Sequence, residues 1–166
     1  MSDRGPSVGA DVTKVDAIRS HFAPLIGKRI IRYRTAELWH EDGRWSSWPD
    51  LPIRIMTDDS SSIGISWSCF DDLALTHGDN NPAWSDAATT RWVDNGIDEI
   101  NGCLGRIIHG VSLGRGQMAI GDSEIEIWTR LLIDLGNCWL EIFNALDENG
   151  YCLHAELPPG EFVTCI

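Results

Sequence analysis

Hydrophobic and polar residues alternate most cleanly between positions 125 and 157, IEIWTRLLIDLGNCWLEIFNALDENGYCLHAEL. Ile125, Ile127, Thr129, Leu131, Ile133 and Leu135 hold the odd positions, with Glu126, Arg130 and Asp134 between them, so a period of two predicts a strand with one buried face. Gly136-Asn137 stands where a two-residue hairpin loop belongs, because glycine at the first central position suits a type II′ turn. Cys138, Leu140 and Ile142 then continue one face of a returning strand. Trp139 and Phe143 bracket Glu141 on the other face, which predicts that this face is partly covered too. Asn149-Gly150 supplies the next turn signal, since both residues accept positive φ at little cost. Tyr151, Leu153, Ala155 and Leu157 alternate again until Pro158-Pro159-Gly160 ends the strand. The stretch predicts a three-stranded meander.

Upstream, Val12, Val15, Ile18 and Phe22 recur at helical spacing behind Asp11 and Thr13, either of which can cap, and Pro24 and Gly27 close the helix. Residues 29–36 read as a first strand, with Ile31, Tyr33 and Thr35 on one side and Arg32 and Arg34 on the other. Residues 37–52 hold Trp39, Trp45 and Trp48 without a sustained period and read as a loop with aromatic anchors. A second strand over 53–57 leads through a turn at 58–62 into a third, where Ile63, Ile65, Trp67 and Cys69 share a face. From 70 to 101 the pattern dissolves into an acidic, irregular stretch. A fourth strand over 104–113 carries Ile107, Val111 and Leu113 and ends at Gly114-Arg115-Gly116. Residues 1–10 read as a flexible leader and 11–166 as a single globular domain without an internal repeat. The fold class that follows is α+β: a mainly antiparallel, twisted sheet or half-barrel of about six or seven strands with one N-terminal helix.

Charge narrows the function. The net charge of −12 repels nucleic acid and anionic membrane and attracts basic partners. Positive charge gathers early, in Lys28, Arg29, Arg32 and Arg34, which are expected to pair with acids on a neighbouring strand. No Lys or Arg follows Arg130, so the C-terminal strands present negative charge to solvent. Five cysteines are spread singly without a CxxC pair, which reads as buried thiols in a reducing compartment. The first residues lack the apolar core of a signal peptide and no run has the length of a membrane span, which places the protein in the cytoplasm.

Three short constellations invite a chemical reading. Gly114 to Ala119, GRGQMA, matches a relaxed dinucleotide fingerprint, but that chemistry needs a helix N-terminus for the pyrophosphate, and a strand begins at Ile125 instead. No cofactor is expected. Asp71, Asp72, His77 and Asp79 crowd into nine residues and are of the type that gathers a divalent metal for hydrolysis, although one loop rarely supplies a whole site. Cys152 and His154 would share a strand face, where a thiol–imidazole pair is geometrically possible and packing is the simpler explanation.

The function these features suggest is a non-enzymatic, acidic protein-binding module that neutralises a basic partner. It resembles bacterial immunity and inhibitor proteins in size and charge alone. The partner-binding residues expected are Asp71, Asp72, Asp79, Trp84, Asp86 and Trp92, which place acids beside aromatic anchors in one long loop. The alternatives are a half-barrel that binds a small molecule in a Trp-lined cavity, or a metal-dependent hydrolase built on Asp71, Asp72 and His77.

Overall fold

The computed structural model describes residues 12–69, 71–78 and 89–166. Expectations for the leader and for Asp79, Trp84 and Asp86 lie outside them. The helix α1 (Val12–Phe22) buries Ile18 and Phe22 completely, while Val12 in its first turn stays exposed. A 3-10 turn, Ala23–Leu25, and Gly27 at φ +79 end it.

Six strands form the first sheet: β1 (Ile30–Trp39), β2 (Trp45–Ser47), β3 (Ile53–Thr57), β4 (Ser62–Ser68), β5 (Asp72–His77) and β6 (Thr90–Asp94). Strands β3, β4 and β5 follow β1 as an antiparallel meander. Leu38 pairs with Ser46 of β2 and Thr90 of β6 at once, so β2 and β6 lie on opposite edges of β1. The second sheet runs in the order β10-β9-β8-β7-β11, from β7 (Gly110–Ile120), β8 (Ser123–Asp134), β9 (Trp139–Asn144), β10 (Asn149–His154) and β11 (Phe162–Thr164). The α+β class with a single N-terminal helix therefore holds, with the strands divided between two antiparallel sheets instead of curling as one. Among the described residues no helix is long and apolar enough to cross a membrane.

The two sheets are copies of one plan, which the sequence reading had not found. The 3-10 helix Asp98–Cys103 precedes the second sheet as α1 precedes the first. Gly27 N–H donates to Ile108 O (2.8 Å) and Gly105 N–H to Ile30 O (2.8 Å), while Ile30 N–H donates to Arg106 O (2.8 Å) and Ile108 N–H to Lys28 O (2.9 Å). These bonds are reciprocal, as an approximate two-fold axis near the Arg29–Ile107 bridge requires. Gly105 has φ +80, matching Gly27. Further out, Ile53 pairs with Ile65 and Ile55 with Ile63 in the first half, as Leu131 pairs with Ile142 and Ile133 with Leu140 in the second. Asn95 N–H closes onto Tyr33 O (2.9 Å) as Cys165 N–H does onto Val111 O (2.8 Å).

Those same apolar positions form a single core shared by both sheets, α1 and the second 3-10 helix. Trp67, wholly buried, crosses between the sheets: its Nε1–H donates to Ile142 O (2.9 Å). Its backbone N–H donates to Asn149 Oδ1 (2.8 Å), and Asn149 Nδ2–H donates back to Ile65 O (2.9 Å). Asn144 Nδ2–H adds a bond to Ser68 O (2.8 Å). The Trp67 indole and backbone N–H groups and the Asn149 and Asn144 side-chain amides thus find partners on the opposite sheet.

Several strand details depart from the alternation. A bulge between Ile30 and Arg32 leaves Ile31 exposed and Ile30 buried, the reverse of the expected face. A second irregularity, between Gly114 and Arg115, skips Thr129 on β8, so the even-numbered Trp128 turns into the core and the odd-position face does not run unbroken from 125 to 135. Gly114-Arg115-Gly116 continues β7 instead of ending it. A Cβ at Gly116 would fall 2.1 Å from Thr129 Oγ1, so close strand approach accounts for that glycine. Gly136 takes φ +89 as its turn requires, but Asn149-Gly150 belong to β10, and the left-handed residues are Leu146 and Asp147. Residues 37–52 contain β2, and 70–101 contain β5, β6 and the start of the second 3-10 helix.

Replacing Asn149 with alanine strands the buried Trp67 N–H and Ile65 carbonyl. Urea unfolding is expected to show a loss of about 2–4 kcal/mol, the cost of two unpaired buried groups. Asn137→Ala, at an exposed hairpin tip, is expected to stay within about 0.5 kcal/mol of the parent.

Candidate functional site

Of the expected partner-binding residues, Asp71, Asp72 and Trp92 lie among the described residues. Asp71 lies 3.4 Å from Lys14 Nζ, a lysine that also donates to Trp128 O (3.1 Å) and sits over the Trp67 ring. Asp72 opens β5, where its exposed carboxylate accepts a bond from Ser68 Oγ (3.3 Å). His77 closes the same strand and stacks on His21 of α1, with ring centroids 4.7 Å apart. Five residue steps of extended chain place Asp72 and His77 about 16 Å apart. They do not converge, and no metal-holding group of three His, Cys, Asp or Glu occurs among the described residues. Trp92 sits on β6, at the opposite edge of the sheet from Asp72, with the Arg54 guanidinium 5.7 Å from its ring. Three strands separate the two edges. Trp67 and Trp128 are themselves buried members of the shared core.

The densest chemistry stands on the outer face of the second sheet, where β8, β9 and β10 run side by side. Register places Leu132, Glu141 and Cys152 in one row across the strands. Period-two alternation then puts His154 beside Cys152 and Arg130 beside Leu132 on that face. Arg130 grips Glu141 with two bonds, from Nε to Oε2 (2.6 Å) and from Nη2 to Oε1 (3.1 Å). Its Nη1 donates to Pro159 O (3.0 Å), and its plane lies 4.8 Å over the Phe162 ring. The Pro158-Pro159-Gly160 turn thus folds back over the sheet to hold the guanidinium. Gly160 is required there, since a Cβ would stand 2.4 Å from Arg130 Nη1.

Glu141 is almost fully buried although it faces outward. Burial pushes its carboxyl up, but the hydrogen bonds from Arg130 and His154 outweigh that effect and hold it below its ordinary value. His154 Nε2–H donates to Glu141 Oε1 (2.8 Å), and its Nδ1 faces Cys152 Sγ at 3.8 Å. The result is a continuous thiol–imidazole–carboxylate–guanidinium chain. It borders an open groove of about 440 Å³ whose walls include Gln117, Phe143 and Asn144. A second groove of about 480 Å³, between Arg115, Glu124 and Glu161, shares Gln117 and Arg130 with it.

Cys152 and His154 were visible in the sequence as a pair on one strand face. Glu141 and Arg130 were not, because they join the pair only through strand register. The one local sign was a carboxylate in the middle of an otherwise apolar strand.

Compared with protein-family models, with curated proteins and with solved structures, the chain matches none.

A carboxyl whose folded value is depressed contributes stability above its unfolded value and loses it as pH falls through the folded value. Arg130→Met removes the main cause of the depression and leaves a buried carboxylate with His154 alone. At neutral pH the variant is expected to be about 3–5 kcal/mol less stable by urea unfolding. Below the ordinary carboxylate range the gap to the parent narrows, because protonating Glu141 stabilises the variant and weakens the parent's ion pair. A gap that stays constant from neutral to acid pH would overturn this account of Glu141.

Proposed function

We propose that the protein is a non-enzymatic acidic module that binds a basic protein partner, in the manner of immunity and inhibitor proteins. The observation that carries this reading is the disposition of charge. Among the described residues, Lys14, Lys28 and seven arginines, Arg130 the most buried, stand in ion pairs with the chain's own carboxylates. Lys28 holds Asp59 at the β3–β4 turn, and Arg32 and Arg34 both reach Asp94 on the adjoining β6. Much of the positive charge is therefore answered locally, in a chain whose net charge is −12. Such a field accelerates encounter with a cationic surface and repels nucleic acid.

Exposed aromatics add anchoring surface. At the β1–β2 hairpin Trp39 and Trp45 meet edge to face with centroids 5.2 Å apart, and Arg91 lies 4.4 Å over the Trp45 ring. Trp39 remains 42% exposed at the end of β1, where β2 and β6 flank the strand on its two edges. Tryptophans held rigidly in this way are the residues that dominate interface energies. Asp72, exposed at the other edge of the sheet, contributes to the field without being needed for an internal ion pair.

Isothermal titration against a panel of small basic nucleases and other basic proteins tests the reading. Binding is expected at low salt, with an affinity that falls roughly tenfold or more on raising salt to a few hundred millimolar. Asp72→Lys should weaken it mainly through a slower association rate, and Trp39→Ala mainly through faster dissociation. Absence of binding to every basic partner at low salt, or an affinity indifferent to salt, would sink the proposal.

A further inference from the structure

We infer that Cys152 is a nucleophilic thiol served by His154 as its base, and that the groove beside it is a site of thiol–disulfide exchange with low-molecular-weight disulfides. The argument begins with the imidazole. An ionised carboxylate can only accept, so Glu141 requires the proton of the neutral ring to sit on Nε2. Nδ1 is then the acceptor, and it is the nitrogen that faces Cys152 Sγ at 3.8 Å. Arg130 keeps Glu141 ionised and fixed from the far side through its two-bond grip. Four side chains from three strands are thus ordered so that the open end of the chain is a base aimed at sulfur.

Proton and electron flow balance without any group beyond the incoming disulfide. The Cys152 thiol gives its proton to His154 Nδ1, and the imidazolium that forms is stabilised by Glu141. The thiolate attacks one sulfur of the disulfide, a new S–S bond forms to Cys152, and the old S–S bond breaks. The departing thiolate takes the proton back from His154 and leaves as a free thiol. Cys152 ends oxidised as a mixed disulfide, and half of the reagent ends reduced.

Displacement at sulfur also suits the surroundings better than acyl transfer does. A tetrahedral intermediate needs backbone N–H donors converging on its oxygen. Over Arg130–Asp134 of β8 and Trp139–Phe143 of β9, the stretch that carries Arg130 and Glu141, the strands are paired on both edges, so the ladder N–H groups point in the plane of the sheet and not toward the groove. Attack on a disulfide develops no oxyanion and needs none. The groove, about 440 Å³, is within the range that accommodates small molecules, so an adduct on Cys152 has space.

The remaining cysteines provide the contrast. Cys103, Cys138 and Cys165 are buried, and burial pushes the Cys103 thiol up to about 12 and the Cys165 thiol up to about 11. Cys69 is exposed, more so than the half-buried Cys152, and no imidazole contact to it occurs among the described residues. Accessibility alone therefore favours Cys69, whereas the relay favours Cys152.

The folded, full-length protein is treated with a neutral dipyridyl disulfide over a range of pH, and the modified cysteines are located by peptide mass spectrometry. Near neutral pH Cys152 should react roughly tenfold faster than Cys69, as a base-assisted thiol does relative to an unassisted one. His154→Gln should bring the Cys152 rate down to that of Cys69 or below, and Glu141→Gln should move the pH profile of Cys152 toward higher pH while the Cys69 profile stays in place. Constant protection of Cys103, Cys138 and Cys165 reports that each variant remains folded. Should Glu141→Gln expose those three, His154→Gln alone decides. A Cys152 rate no faster than that of Cys69, or one unchanged by His154→Gln in the folded protein, overturns the inference.

Discussion

Everything in the fold depends on four backbone hydrogen bonds between the segments 27–30 and 105–108. Each half of the chain, taken alone, is a helical lead-in followed by an antiparallel meander with one apolar face, and the short lead-in is too small to cover that face. The reciprocal bonds between Gly27, Ile30, Gly105 and Ile108 join the halves back to front about an approximate two-fold axis. Both apolar faces then close on each other as one core, and Trp67 with Asn149 ties the far ends of the sheets together. The left-handed glycines are part of that constraint, since a side chain at φ near +80 is strained wherever it points.

The two-fold relation also explains where chemistry is found and where it is absent. Inward positions are alike in the two halves: Ile53, Ile55, Ile63 and Ile65 answer to Leu131, Ile133, Leu140 and Ile142. Outward positions have diverged. Between Ile63 and Ile65 stands Gly64, paired across the ladder with Thr76, whereas between Leu140 and Ile142 stands Glu141, paired with Cys152. A Cβ at Gly64 would come within 2.5 Å of Thr76 Oγ1 and 3.6 Å of the buried Arg54, so the first half has no room for a carboxylate there. Conversely Leu132, in the second half, occupies the place of Arg54. The core tolerates only apolar residues of similar size at equivalent points, and the outer faces, free of that constraint, carry what differs.

This division also determines how much could be read before the structure. Alternation identified β4, β9 and the second half of β8 because Ile63, Ile65 and Trp67, and then Leu131, Ile133, Leu140 and Ile142, line a buried face at every second position. It failed for β5 and β6, whose Leu73, Leu75 and Val93 do alternate but stand among acids and beside a long irregular segment. The bulges at Ile31 and Thr129 were not legible at all, because an extra residue is defined only against the partner strand. The two-fold correspondence was hidden for a similar reason. Its strongest trace, LIGKRI at 25–30 against CLGRII at 103–108, is six residues long, and the rest survives as burial and register, not as identity. The candidate site was half legible: Cys152 and His154 are neighbours in sequence, while Glu141 and Arg130 reach them across two ladders.

The proposed binding surface and the proposed thiol site make separate demands on the same molecule. Trp39 and Asp72 belong to the first sheet, while the relay from Arg130 to Cys152 lies on the outer face of the second, so a partner held by one need not cover the other. The acidic field nevertheless reaches both. It lowers the local concentration of anionic disulfides and raises that of cationic ones, by an amount that salt reduces. The Arg115 and Arg130 guanidiniums at the groove oppose that bias, but both are already engaged with carboxylates. Reagent charge should therefore affect access to Cys152, while His154 and Glu141 govern the step that follows.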